Sequence, residues 1–187
     1  AAIRGLSVPI FADLDRDGDL DLVVGAAEGE GRLHLWENTA ASGAPPRHAM
    51  APSPFGDIIA AAAFTLADID GDGDLDLVRG ESDGSLRVWE NVGSAAAPIY
   101  DRPGRHDAAF DGVRVDGDAF PAFADLDSDG DLDLVVGKTP VQINETSQAL
   151  DYWENKGSAT APVYATSAAN PFADTVFGII SGGVFPA

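Results

Sequence analysis

The sequence predicts an all-β fold of repeated four-stranded antiparallel units, and three observations carry that prediction. A nine-residue acidic string recurs at spacings of 55 and 57 residues, at Asp13–Asp21, Asp68–Asp76 and Asp125–Asp133. Each string is followed by the same tripeptide, Trp36-Glu37-Asn38, Trp89-Glu90-Asn91 and Trp153-Glu154-Asn155. Between these landmarks lie short β-branched or alternating runs bounded by Gly, Pro, Asn and Asp, and no segment has a helical period.

Within one period, a strand such as Ala119 to Ala124 leads into the acidic string and a β-branched run such as Leu132 to Val136 leaves it. A Gly-containing turn follows, for example Glu81-Ser82-Asp83-Gly84, and then an alternating strand such as Leu86 to Glu90. After the stretches Gly93-Ser94-Ala95-Ala96-Ala97-Pro98 and Gly157-Ser158-Ala159-Thr160-Ala161-Pro162 comes a fourth short segment, Ile99-Tyr100 or Val163-Tyr164. Four antiparallel strands in a period of about 60 residues make a propeller-type blade. The divisions fall at about 1–52, 53–108 and 109–172, with the start of a fourth repeat at about 173–187. That last stretch is recognised because Gly183-Val184-Phe185-Pro186-Ala187 matches Asp118-Ala119-Phe120-Pro121-Ala122, the strand entering the third acidic string.

Three blades are too few to close a propeller, for which four to eight are usual. A partial or open propeller is therefore expected, with open strand edges that lead either into a longer parent polypeptide or into head-to-tail self-association.

The composition of the 187 residues, 45% of them hydrophobic, supplies enough apolar material for a core. A formal net charge of −20 repels phosphate backbones and anionic lipid, so nucleic acid and membrane surfaces are not expected partners, and with no run of about 18 apolar residues no membrane insertion is expected. There is no cysteine, hence no disulfide framework and no thiolate metal site. The sequence begins at Ala1 without an initiator Met or a basic-then-apolar signal region, which reads as a processed or truncated product. Low lysine, the acid balance and the sequon Asn144-Glu145-Thr146 point to an extracellular or cell-surface setting.

The acids are concentrated: fifteen of the 31 Asp and Glu residues fall in the three strings, five in each. Calcium takes six to eight oxygen ligands, and a tight loop supplies them when alternate side chains point inward. In the first loop Asp13, Asp15 and Asp17 are expected to coordinate through carboxylates, Asp19 through its carbonyl, and Asp21 through a carboxylate, in bidentate fashion. Gly18 occupies the sharp turn, where a Cβ is penalised. Asp68, Asp70, Asp72, Asp74 and Asp76 around Gly73 repeat the pattern, as do Asp125, Asp127, Asp129, Asp131 and Asp133 around Gly130. About three Ca²⁺ sites follow, and three divalent ions would move the net charge from −20 to −14. The twelfth-position Glu of an EF-hand is absent, its place taken by Val24, Arg79 and Val136.

The combination of D-x-D-x-D-G-x-x-D, the following Leu-Asp-Leu-Val run and an upstream Phe-Gly, as at Phe55-Gly56 and Phe177-Gly178, resembles the FG-GAP or VCBS repeat of integrin α-subunit propellers and bacterial surface proteins. The resemblance covers essentially the whole chain. It implies that the acidic loop joins the first two strands of a blade and binds calcium, and it assigns the same Asp residues as ligands. Two departures stand out: Gly25-Ala26-Ala27 replaces the Gly-Ala-Pro portion, and Lys138 to Leu150 form an insertion that is a candidate variable face.

Other motifs read more simply as structure, and no catalytic residue is assigned. Gly80-Glu81-Ser82-Asp83-Gly84 fits the G-x-S-x-G string, but a strand rather than a helix follows it, so a hairpin turn is expected. Gly137-Lys138-Thr139 lacks the upstream Gly of a phosphate loop, since Leu132 stands there. His34, His48 and His106 are scattered, with His34 in the place held by Arg87 and Tyr152 in the other copies. The three Trp are expected in inter-blade core rather than as sugar platforms. The leading functional expectation is a calcium-stabilised extracellular scaffold or adhesion module that binds a protein or glycan ligand. The alternatives are a carbohydrate-binding propeller and, behind it, a hydrolase or lyase using carboxylates outside the loops.

Overall fold

The computed structural model describes residues 7–26, 31–41, 43–59, 63–101, 107–139, 150–167 and 170–172. These form three four-stranded antiparallel sheets, each a simple meander. The first contains β1 (Ser7–Ala12), β2 (Asp21–Ala26), β3 (Leu33–Asn38) and β4 (His48–Ala51). The second contains β5 (Phe64–Ala67), β6 (Asp76–Gly80), β7 (Leu86–Asn91) and β8 (Tyr100–Asp101), and the third β9 (Ala119–Ala124), β10 (Asp133–Lys138), β11 (Leu150–Asn155) and β12 (Tyr164–Thr166). A single-turn 3₁₀ helix at Asp107–Phe110 is the one helical element among the described residues. The duplicated strand at 183–187, Phe177-Gly178 and Asn144 lie outside the described residues, as does most of the insertion after Lys138.

The repeat is exact in register. Leu22, Leu77 and Leu134 pair with Trp36, Trp89 and Trp153, while Asp21, Asp76 and Asp133 pair with Ala12, Ala67 and Ala124. The fourth strand starts at the Tyr rather than at the Ile or Val before it. The reason is local, because Ile99 and Val163 close the preceding hairpin: their carbonyls accept from Val92 and Lys156 (2.8 Å each), and their N–H groups donate to Asn91 and Asn155 Oδ1 (2.9 Å each).

Alternation along a strand sends neighbouring side chains to opposite faces, so each sheet has two faces to bury. The core is accordingly divided between two inter-sheet layers. Between the first and second sheets, Ala12, Leu14 and Val23 of one meet Phe64 and Leu77 of the other, with Phe55 from the connecting segment. Between the second and third, Ala67, Ile69 and Val78 meet Leu134, Val136 and Trp153, with Phe110 from the connection. Phe55 stacks on Tyr100 at 4.8 Å and Phe110 packs at a tilt against Tyr164 at 4.9 Å, so the linker aromatic is a repeated wedge. Trp153 is buried and Trp89 packs against the first layer, whereas Trp36, on the unpaired face of the first sheet, is only half-buried.

Candidate metal centres

Each acidic string is the loop from the first to the second strand of its sheet, so all three loops emerge at equivalent corners. The chain can turn there because two positions in each loop take left-handed backbone. Gly18, Gly73 and Gly130 have φ of 92°, 94° and 96°, as the sharp-turn glycine requires. Two residues earlier, Arg16, Gly71 and Ser128 have φ of 58°, 67° and 64°, a second turn that the sequence does not mark, since only one copy has glycine there.

These turns bring carboxylates together. Ligand oxygens of Asp13, Asp15 and Asp17 lie within 4.8 Å of one another, as do those of Asp68, Asp70 and Asp72, and of Asp125, Asp127 and Asp129. Backbone donors hold them in place. The first Asp of each loop accepts from the turn glycine N–H (3.1, 2.9 and 3.2 Å). The second accepts from the N–H of the third (3.2 Å in each loop), and the third from Asp19, Asp74 or Asp131 (2.9, 2.9 and 3.1 Å). Asp19, Asp74 and Asp131 are thus tied to the loop through their N–H groups, and their side chains lie outside the triads.

The last Asp of each loop occupies a different place. Asp21, Asp76 and Asp133 are buried at the start of the second strand. Their Oδ2 atoms accept from the N–H of Leu14, Ile69 and Leu126 (3.2 Å each), and their Oδ1 atoms from the N–H of Asn38, Asn91 and Asn155 (2.8, 2.8 and 2.9 Å). Tyr152 adds a 3.1 Å bond from its hydroxyl to Asp133. These carboxylates therefore clamp the loop to the third strand. Burial pushes Asp76 up to about 7 despite its two backbone donors, and burial raises Asp21 as well.

The Asn of the repeated tripeptide completes the chain of contacts. Its N–H reaches the buried Asp, and its side-chain oxygen pins the next hairpin. Asn38 accepts from Ala40 and Arg47, Asn91 from Gly93 and Ile99, and Asn155 from Gly157 and Val163, all at 2.9–3.2 Å. Sequence reasoning singled out the Trp of this tripeptide and passed over the Asn, although its invariance across the three copies was the available signal.

The donor set fits a hard cation. Carboxylate oxygens are what calcium selects. In addition, Asp13 Oδ1 and Asp68 Oδ1, at the same position of two loops, are buried and accept no hydrogen bond, and Asp131 Oδ1 is in the same condition. Buried acceptors without partners are costly, and a cation beside the triad would give the Asp13 and Asp68 oxygens the partner they lack. Asp13 and Asp68 also line one cleft between the first two loops, into which Arg16 extends against Gly73.

Elsewhere the structural readings hold. Gly80 to Gly84 lie at the hairpin from β6 to β7, with Glu81 N–H donating to Ser85 (2.9 Å) and Gly84 at φ 84°. Lys138 is paired with Asp151 at 2.6 Å, and Thr139 is bonded to Asp118. His48 Nε2 contacts the Leu20 carbonyl at 3.1 Å, which is the role of the Tyr100 hydroxyl on Leu75, and His106 lies outside the described residues. One alignment is corrected by the register: His34 and Arg87 share their position with Asp151, because Tyr152 stands opposite Val135 and so corresponds to Leu35 and Val88.

The sequence model described as an FG-GAP-like repeat matches residues 13–79 and again residues 68–136, each match beginning at the first Asp of a loop. No curated protein matches the chain at a significant level.

Proposed function

The chain belongs to the FG-GAP-like repeat family, and from that premise we propose that it is a calcium-binding extracellular module, a structural or adhesion scaffold rather than an enzyme. The observation that carries the reading is the three equivalent Asp triads, two of them with a buried carboxylate oxygen that has no hydrogen-bond partner. Bound calcium would accept the carboxylate oxygens as ligands and bring two positive charges to each triad. The chain's own residues do the rest: turn glycines aim the first Asp, the buried ninth Asp ties the loop to the third strand, and the Asn beyond it fixes the neighbouring hairpin. Metal occupancy is thereby coupled to the rigidity of the whole corner.

The magnitude matters for a marginal fold. With a dissociation constant of about 10⁻⁴ M and roughly 1 mM calcium, as for extracellular modules, each site adds about 1.4 kcal/mol by mass action. The extracellular assignment rests on the acid balance and low lysine content together with the repeat family. The carbohydrate reading is weaker, since Trp153 is buried and Trp89 is partly buried against the core.

The test is thermal unfolding with and without a chelator. The melting temperature should fall in chelator, and Asp72→Ala and Asp129→Ala should each reproduce part of the loss. An unchanged melting temperature in excess chelator would overturn the proposal.

A further inference from the structure

The two sheet faces that bound the array are the two halves of a contact that the chain already makes twice. Every internal layer joins the trailing face of one sheet, which carries Val8, Leu14 and Val23 in the first, to the leading face of the next, which carries Leu66, Leu75 and Leu77 in the second. The register identifies the residues at the same positions on the outer faces. On the leading face of the first sheet, Phe11 and Leu20 stand where Leu66 and Leu75 stand in the second, and they are 58% and 56% exposed. On the trailing face of the third sheet, Phe120 and Leu126 stand where Val8 and Leu14 stand in the first, and they are 40% and 41% exposed, against 5% for Leu14.

We propose that these faces dock on each other between copies, the third blade of one chain against the first blade of a second copy, in a heterologous head-to-tail contact. The occupant follows from the internal layers, which already pack such a trailing face on such a leading face. Exposed apolar side chains on one sheet face offer surface for such docking. A leading face cannot pair with another leading face in the manner seen inside the chain, so contact between like faces is not the expected form. Two copies joined through both contacts bring together six of the described sheets, within the four to eight blades that close a propeller. The association is by sheet faces, which adds a specific surface to the open strand edges expected from the sequence. The inference rests on the packing of apolar faces and not on the metal.

Molar mass by light scattering tests it, on the 19.3 kDa chain in calcium and moderate salt at up to about 1 mM protein. Wild type should show a concentration-dependent rise towards twice the monomer mass. Phe11→Glu, which spoils only the leading face, and Phe120→Glu, which spoils only the trailing face, should each remain monomeric. Mixed in equal amounts they retain one intact contact between them, so a one-to-one heterodimer and nothing larger should form; its appearance also shows that both variants are folded. A wild-type mass that stays at the monomer value, a single variant that associates like wild type, or a mixture that fails to pair would each overturn the proposal.

Discussion

The second and third acidic loops differ at two of nine positions, Ile69 against Leu126 and Gly71 against Ser128, yet they occupy different surroundings. Ile69 is 2% exposed and Leu126 41%; Asp70 is buried, and Asp127 lies open. The second loop is covered by the third blade, whose Ala159 carbonyl comes so close that a Cβ on Gly71 would meet it at 3.1 Å. The third loop has no following blade among the described residues. Loop sequence therefore sets the internal geometry, which is the same in both, while the next blade sets the burial.

The largest expected contrast is at the hydrophobic second position. Ile69→Ala should cost about 2–5 kcal/mol in denaturant unfolding, and Leu126→Ala less than about 1, because only the first opens a cavity. Equal losses would break the comparison. At the ninth position the two loops should instead agree. Asp76→Asn and Asp133→Asn each replace an acceptor oxygen with an amide donor facing a buried backbone N–H, for about 1–3 kcal/mol each.

Smaller differences sharpen the contrast. Gly73→Ala should cost about 1–2 kcal/mol for its positive φ, plus the displacement of Arg16, while Gly130→Ala has the strain alone, with no neighbour within 4 Å of its Cβ. A further contrast is in pH. Asp76 has its folded pKa raised from 3.8 to about 7, so in chelator the folded chain holds a proton that the unfolded chain has released between those values. Its contribution is complete below pH about 4 and is lost as pH rises through 7, with a slope of at most about 1.4 kcal/mol per pH unit. Melting curves across pH 5–8 in chelator should show stability falling with pH, Asp76→Asn should flatten that slope, and calcium should reverse it, since its ligands must be ionised.

Much of this was legible in the sequence because the repeat is local. The acidic strings, the Trp-Glu-Asn tripeptide and the glycine at the sixth loop position report turn geometry and strand pairing within one blade, and the three meanders follow from them. What depended on contacts across the sequence was less readable. The ninth-position Asp looks like the other four in the string, yet pairing places it at the start of a strand, where it also accepts from two backbone donors. The second left-handed position is hidden by Arg16 and Ser128, whose side chains give no sign of it. The division of each sheet into leading and trailing faces required the register, which also moved His34 into line with Asp151.

Calcium titration of chelator-stripped protein by isothermal calorimetry tests the central claim most directly. Three ions per chain are expected to bind, with Asp72→Ala and Asp129→Ala each removing one; no uptake at about 1 mM free calcium, or uptake unaffected by either substitution, would contradict the assignment of the triads.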